Sequence, residues 1–288
     1  MALIKKLGAK KVVSTKPTLA LPTEPNEPSS SLSDYSILLY GVKKGGKTSL
    51  ASRFPDAFFL SLEPGTKALR VFQRDVRDWE EFVGYIDLLE KTKQFKTIIV
   101  DTIDLAYEYA WNYICKKKMI DHPRDENDYG ATWKEIKNLF AQQCSRLLNL
   151  GRGVIFISHD MEKEIELRDG TKIHRVQPTM ANQALAHIEA VVDVICNYGF
   201  EGKRRILTMD GNQNVVAGCR LEEHFIRAGG EPRVAGDRII TIDMGNSAQE
   251  AYDNFLRAFN NQQEVVDVTA VAKAKPGLKK PLVLKKGK

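Results

Sequence analysis

The sequence is poor in cysteine and has no long apolar run. Its 288 residues include four cysteines, Cys115, Cys144, Cys196 and Cys219, with no C-x-x-C pair among them. That spacing suggests neither a zinc knuckle nor a disulfide framework, and it predicts reduced, mostly buried thiols of a cytoplasmic protein. No apolar stretch approaches the ~18 residues of a membrane-spanning helix, so no membrane partner is expected. The N-terminal lysines lack the following apolar run of about 7–15 residues that marks a secretory signal. Of five histidines, His122, His174, His187 and His224 show no metal-ligand spacing and are given no role. The arginines are scattered, whereas a phosphate-loop kinase needs them clustered in a lid.

What is present is a globular core with basic ends. A hydrophobic fraction of 43% with 28% charged residues excludes wholesale disorder. The net charge is +6, but residues 1–33 hold five Lys and two Glu (+3), residues 271–288 hold seven Lys and no acid (+7), and residues 34–270 are left at −4. The first segment is interrupted by Pro17, Pro22, Pro25 and Pro28 and reads as a flexible arm. Residues 34–260 read as one α/β core, and residues 261–288 as a flexible Lys-rich tail.

The core alternates apolar runs with helical patterns. Ser36–Tyr40, Ala57–Leu62, Thr97–Asp101 and Gly153–Ser158 read as buried strands. Helices are predicted over Thr48–Phe54, Trp79–Leu89, from near Ile103 through Trp111, and over Trp133–Leu150, with a polar connection at Lys116–Gly130. Strands that are apolar throughout and alternate with helices imply a mainly parallel sheet covered on both faces. Beyond Asp160 the pattern turns antiparallel. Asp169-Gly170 separates two strand-like runs as a hairpin turn, Ala190–Tyr198 and Arg205–Met209 read as strands, and Asp210-Gly211 marks a second hairpin. Ser247 and Glu250 form a capping-box spacing that opens a helix through Phe259.

One motif carries chemistry. Gly41-Val42-Lys43-Lys44-Gly45-Gly46-Lys47-Thr48 fits G-x-x-x-x-G-K-[ST] between a predicted strand and a predicted helix, with Ser49 next in the helix. Glycines let such a loop wrap closely and turn backbone N–H groups inward, and the helix N-terminus adds positive potential for phosphate. In this pattern Lys47 reaches the β- and γ-phosphates and the Thr48 hydroxyl binds Mg²⁺. Asp101, at the tip of an apolar strand, is placed for the magnesium hydration shell. Thr102 follows it, so the water-activating carboxylate must come from elsewhere. Glu63, just past the second strand, is the candidate. Ser158-His159 ends the fourth strand, where a polar side chain meets the γ-phosphate.

Taken together, the phosphate loop, Glu63, Asp101 without a following Glu, and Val154–His159 resemble the RecA-like ATPase core over roughly residues 34–225. The segment Asn182–Tyr198, with Asp193 inside it, resembles that core's helix-then-strand. Within that group the chain looks most like phage nucleotide-binding proteins of the Sak family, which are compact single-strand annealing recombinases. The resemblance implies ATP and Mg²⁺ as cofactors, with Lys47, Thr48, Asp101 and Glu63 at the phosphate, metal and water-activating positions. It also implies a homo-oligomer, ring or filament, in which a neighbour supplies a basic finger. Arg220 is the first candidate, with Lys203, Arg204 and Arg205 competing. His159 stands where RecA itself has glutamine.

Single-stranded DNA is the implied partner, together with a single-strand-binding protein. The region Asp160–Thr179 offers Lys172 and Arg175 with Lys163 and Arg168, but Glu162, Glu164, Glu166 and Asp169 leave it nearly neutral and it has no aromatic ring for base stacking. The tail, with Lys279, Lys280, Lys285 and Lys286, is the stronger electrostatic candidate. Two other readings fit the motif: a helicase loader or motor, and a nucleotide-gated assembly module with little turnover.

Overall fold

The four apolar runs become neighbouring strands of one sheet in the computed structural model, which describes residues 21–232 and 234–263. The chain divides into two units after Ser30, and residues 21–30 contain no helix or strand. Residues 1–20 and 264–288 of the arm and tail lie outside the described residues, whereas residues 31–33, read as the end of the arm, belong to the core: Leu32–Asp34 form a short 3₁₀ turn with Leu32 and Ser33 buried.

Strands β1 (Ser36–Gly41), β2 (Ala57–Ser61), β3 (Phe72–Asp75), β4 (Thr97–Asp101), β5 (Gly153–Glu166), β6 (Lys172–Pro178), β7 (Val194–Glu201), β8 (Arg204–Thr208), β9 (Gly218–Cys219) and β10 (Thr241–Asp243) are joined by helices α1 (Lys47–Ala51), α2 (Trp79–Glu90), α3 (Ile103–Lys118), α4 (Ala131–Leu148), α5 (Asn182–Val191) and α6 (Ala248–Phe259). The sheet order is β10-β8-β7-β1-β5-β4-β2-β3. From β7 to β3 every pairing on that path is parallel, while β8 and β10 add an antiparallel edge. The expected class, α/β with a mainly parallel sheet flanked by helices and antiparallel hairpins toward the C-terminus, is the observed one.

Burial explains the strand sequences. All residues of β1, β2 and β4 are buried, as are the first six of β5, because helices cover both faces. One layer packs Phe58, Leu60, Ile98, Val100, Val154 and Phe156 against α2, α3, α4 and α5. The other packs Ile37, Leu39, Phe59, Ile155 and Ile157 against α1 and α6. There Phe54 meets Tyr252 and Phe255 edge-on at 5.1 and 6.3 Å, so the last helix braces the element that follows the phosphate loop.

Several boundaries differ from expectation. Helix α1 stops at Ala51 rather than Phe54, since Phe54 precedes Pro55 and is driven from helical backbone. Helix α3 runs on to Lys118, seven residues past Trp111, into the stretch read as a polar connection. Strand β5 does not end at Ser158 but continues as one strand to Glu166. The Asp169-Gly170 turn holds, joining β5 to β6. No hairpin forms at Asp210-Gly211; β7 and β8 are joined by Gly202-Lys203, where Gly202 takes φ 61°, and Met209 and Asp210 donate to the carbonyl of Ile240. Ala190 and Val191 belong to α5, so Asn182–Tyr198 is helix then strand. Ser247 accepts from the Glu250 N–H at 3.1 Å, but Glu250 bonds Asn246 N–H rather than that of Ser247.

Candidate functional site

Three strand ends and one loop converge at the carboxyl edge of the sheet. Gly41 ends β1 and pairs in register with His159 on β5. Asp101 ends β4, the next strand over, and pairs with Ile157. Ser61 ends β2 opposite Asp101, and Glu63 follows two residues on. The carbonyl of Asp101 accepts from Leu62 N–H at 2.7 Å and Glu63 N–H at 3.2 Å, so the Glu63 backbone is tied to the Asp101 strand. Because β5 lies between β1 and β4, His159 stands between the phosphate loop and the carboxylates.

The loop's glycines have steric reasons. Gly46, at the N-cap of α1, has φ 115°, a conformation that L side chains rarely adopt. A Cβ on Gly41 would lie 2.0 Å from the carbonyl oxygen of Tyr198. Together they permit the tight wrap that turns the loop over the cleft.

The cleft has a volume of about 460 Å³ and is lined by Lys43 to Ser49, Glu63–Gly65, Asp101, Ile157 and His159. Gly41 and Val42 do not line it; they hold Lys47 through their carbonyls. Lys47 is only 5% exposed, and its Nζ donates to Gly41 O at 2.7 Å and Val42 O at 2.9 Å. Burial pushes its pKa down, while the carboxylates of Asp160, Asp101, Glu63 and Asp104 act against that shift. The Thr48 hydroxyl donates to Asp101 Oδ2 at 2.8 Å. Asp101 Oδ1 is buried with no hydrogen-bond partner. Burial pushes the Asp101 carboxyl up to about 6, with the Glu63 carboxylate adding to the rise and Thr48, Lys47 and His159 opposing it.

A buried carboxylate oxygen without a partner, beside a threonine hydroxyl, suits a hard divalent cation. Among the described residues no group of three or more His, Cys, Asp or Glu could hold a metal. The pair therefore fits an ion held mainly by phosphate oxygens and water, as Mg²⁺ is, rather than an all-protein cage. Across the cleft, His159 Nε2 lies 3.2 Å from Glu63 Oε2, and His159 Nδ1 is buried without a partner.

Asp101 yields a signed prediction. Its carboxyl holds a proton to higher pH folded than unfolded, so it lowers stability progressively as pH rises from about 4 to about 6, and the full cost stands above that. Asp101→Asn should stabilise the nucleotide-free chain by up to about 3 kcal/mol at pH 8 and by little at pH 4. Thermal melts at the two pH values check it; an equal gain at both, or a loss at pH 8, contradicts the assignment.

The remaining sequence-nominated residues lie elsewhere. Arg220 is at the opposite end of the sheet, its N–H on Asp193 O and its guanidinium on Ala190 O. Lys203, Arg204 and Arg205 sit at the β7–β8 turn, beyond the level of Gly41; Arg204 pairs with Asp243 at 2.8 Å and Arg205 donates to Asn246 O. Lys172 and Arg175 fall on opposite faces of the β5–β6 hairpin. The antiparallel register puts Glu162, Glu164, Glu166, His174 and Lys172 on one face and Met161, Lys163, Ile165, Ile173 and Arg175 on the other. Lys172 is paired with Glu164 at 2.8 Å, and Arg175 is bound to Gln213 O. The charge that cancels in sequence is therefore sorted by face. Lys279, Lys280, Lys285 and Lys286 lie outside the described residues.

Sequence reasoning passed over Asp104 and Gly65. A Cβ on Gly65 would stand 3.7 Å from Asp101 Oδ2 and 3.8 Å from Thr48 Oγ1, so a side chain there would begin beside that pair. Asp104, in the first turn of α3, accepts from Ser158 Oγ at 2.7 Å, His159 N–H at 3.2 Å and Thr179 Oγ1 at 2.9 Å. The signal available for it was only its position three residues after Asp101.

A phosphate loop between strand and helix, with a Thr–Asp pair beneath it in a mainly parallel sheet, defines a P-loop ATPase domain. The chain belongs to the AAA domain family, whose model matches residues 33–221. It is similar to the SPbeta prophage-derived uncharacterized protein YorG of Bacillus subtilis (strain 168), 28% identical over 245 residues that span 82% of this chain and 70% of that one. Solved structures similar to it include a KaiC-like protein of Pyrococcus horikoshii OT3, at 13% identity over 61% of this chain and 78% of that one with a TM-score of 0.38. Another is the RadB recombinase, at 17% identity over 61% of this chain and 80% of that one with a TM-score of 0.35. Among the described residues no helix is long and apolar enough to cross a membrane.

Proposed function

We propose that this chain hydrolyses ATP with Mg²⁺ and couples the cycle to binding single-stranded DNA and annealing or pairing it, as a RecA-like recombinase of phage type. The observation that carries the ATP reading is the gathering of Lys47, Thr48, Asp101, Glu63 and His159 around one cleft. In this reading Lys47 exchanges its two loop carbonyls for β- and γ-phosphate oxygens. Thr48 and Asp101 hold Mg²⁺, which when bound neutralises charge on the phosphates. Glu63 orients a water and takes its proton. Before nucleotide enters, His159 holds the Glu63 carboxylate through Nε2, and because Nδ1 is buried it is Nε2 that meets the γ-phosphate.

The DNA half of the proposal is supported by the seven lysines of residues 271–288, by the resemblance to annealing recombinases and by the prophage origin in YorG's name. Assembly into a ring or filament, with Arg220 or the β7–β8 turn reaching a neighbour's phosphates, belongs to the same proposal, as does a single-strand-binding protein as helper. Turnover measured with and without single-stranded DNA, beside annealing of complementary oligonucleotides, tests it. DNA-stimulated hydrolysis and faster annealing are expected; DNA-independent turnover without annealing would favour a loader.

Deleting residues 271–288 is expected to weaken single-strand binding and flatten its dependence on salt. The slope of log K against log[salt] should fall by ~0.7 for every DNA phosphate that the tail no longer neutralises. Fluorescence anisotropy over a salt series measures both quantities; equal affinity and equal slope would move the DNA site to residues 160–179.

A further inference from the structure

Asp104 does none of the work assigned above, yet it is the most connected carboxylate near the cleft. It does not cap its own helix: Thr102 is the N-cap of α3, and Asp104 spends its oxygens on other elements. Oδ1 accepts from Ser158 Oγ, and Oδ2 accepts from the His159 N–H and from Thr179 Oγ1. Thr179 N–H in turn donates to His159 O at 3.0 Å. Ser158 is fully buried, and its hydroxyl also reaches His159 O at 3.0 Å, so it ties Asp104 to the His159 backbone.

Two consequences follow from the geometry. The His159 backbone is held by Asp104 and its ring by Glu63, so the spacing between ring and carboxylate is set by a residue that touches neither reacting atom. And β5 is one unbroken strand from Gly153 to Glu166, so His159 is both the cleft residue and the root of the β5–β6 hairpin. Thr179, one residue after β6, closes that root onto the same carboxylate.

We infer that Asp104 is a positioning residue: it fixes His159 against Glu63 and clamps the base of the β5–β6 hairpin to the cleft, so that the hairpin answers to nucleotide occupancy. The inference rests on the ATP reading of the cleft. A ligand that draws His159 away from Glu63 shifts a strand whose other end is the hairpin, and the Asp104–Thr179 bond carries β6 with it.

The test uses the full chain and three variants, Asp104→Asn, Ser158→Ala and Thr179→Val. Trypsin cleavage at Arg168 and Lys172, both exposed at the hairpin turn, reports its state with and without Mg²⁺ and a non-hydrolysable ATP analogue. Wild-type cleavage should change on adding the analogue. Asp104→Asn should lose that response and lower kcat on the order of ten- to a hundredfold, with KM within about twofold, as expected when a reacting group is misplaced and no ligand to the nucleotide is removed. Thr179→Val should lose the hairpin response but keep kcat, and Ser158→Ala should lower kcat. Should Asp104→Asn not fold, the other two variants carry the test, since each removes one limb of the clamp. A wild-type hairpin indifferent to the analogue, or Asp104→Asn with wild-type kcat and response, overturns the inference alone. A wild-type chain that fails to bind a fluorescent ATP analogue overturns the ATP reading, and this inference with it.

Discussion

Replacing Lys47 with alanine is expected to lower ATP turnover by at least about a hundredfold and to weaken nucleotide binding roughly ten- to a hundredfold, while leaving the fold intact. The amine is almost wholly buried and sits on the carbonyls of Gly41 and Val42. Removing it deprives both of a donor, but Val42 O also accepts from Gly45 N–H at 3.1 Å, so the loop keeps its own closure. The amine is moreover a buried cation whose charged form its surroundings disfavour, which offsets part of the loss. A net cost of about 1–3 kcal/mol is well inside the ~5–15 kcal/mol that holds a domain together. Phosphate, by contrast, would lose the one buried ammonium among the described residues that line the cleft, where a charge-assisted bond counts most. Steady-state ATPase rates, titration calorimetry and a thermal melt of the variant check the three parts. Unchanged turnover would remove Lys47 from the site, and collapse of the melt would make it a structural residue.

How much of this could be read beforehand depended on whether one stretch of chain carried the signal. Strands β1, β2 and β4 were visible because burial on both faces forces every residue to be apolar until the polar tip, and that tip is where function sits. Asp101 and Glu63 were found this way. Strand β3 was not, since Phe72-Gln73-Arg74-Asp75 is a mostly exposed edge strand with no apolar run. The Asp210-Gly211 turn was misjudged because a turn dipeptide makes a hairpin only if its flanks can pair. The flank of β8 was already taken by β7 through Gly202-Lys203 and by β10 on the other side. The charge of the β5–β6 hairpin cancels along the sequence and separates only once the register assigns each residue a face. Asp104 is the extreme case. Its partners are 54, 55 and 75 residues away, so no local pattern distinguishes it from any acid in a helix's first turn.

Glu63→Gln should separate hydrolysis from binding where Lys47→Ala removes both. Glutamine has the shape of glutamate and keeps an oxygen or an amide opposite His159 Nε2, so the 3.2 Å contact survives in one of the ring's tautomers. The backbone at this position is anchored independently, by Glu63 N–H and Leu62 N–H on Asp101 O, so the loop has no cause to move. What is lost is a group able to accept a proton, and general-base removal costs about 10²–10⁴ in rate. Expected is a chain that binds ATP within about twofold of wild type, turns it over at least a hundredfold more slowly, and retains its melting temperature. If the cycle drives DNA release, the same variant should hold single-stranded DNA in the presence of ATP longer than wild type does. Turnover within about threefold of wild type would mean that Glu63 only braces His159, and the water-activating role would have to be taken from it.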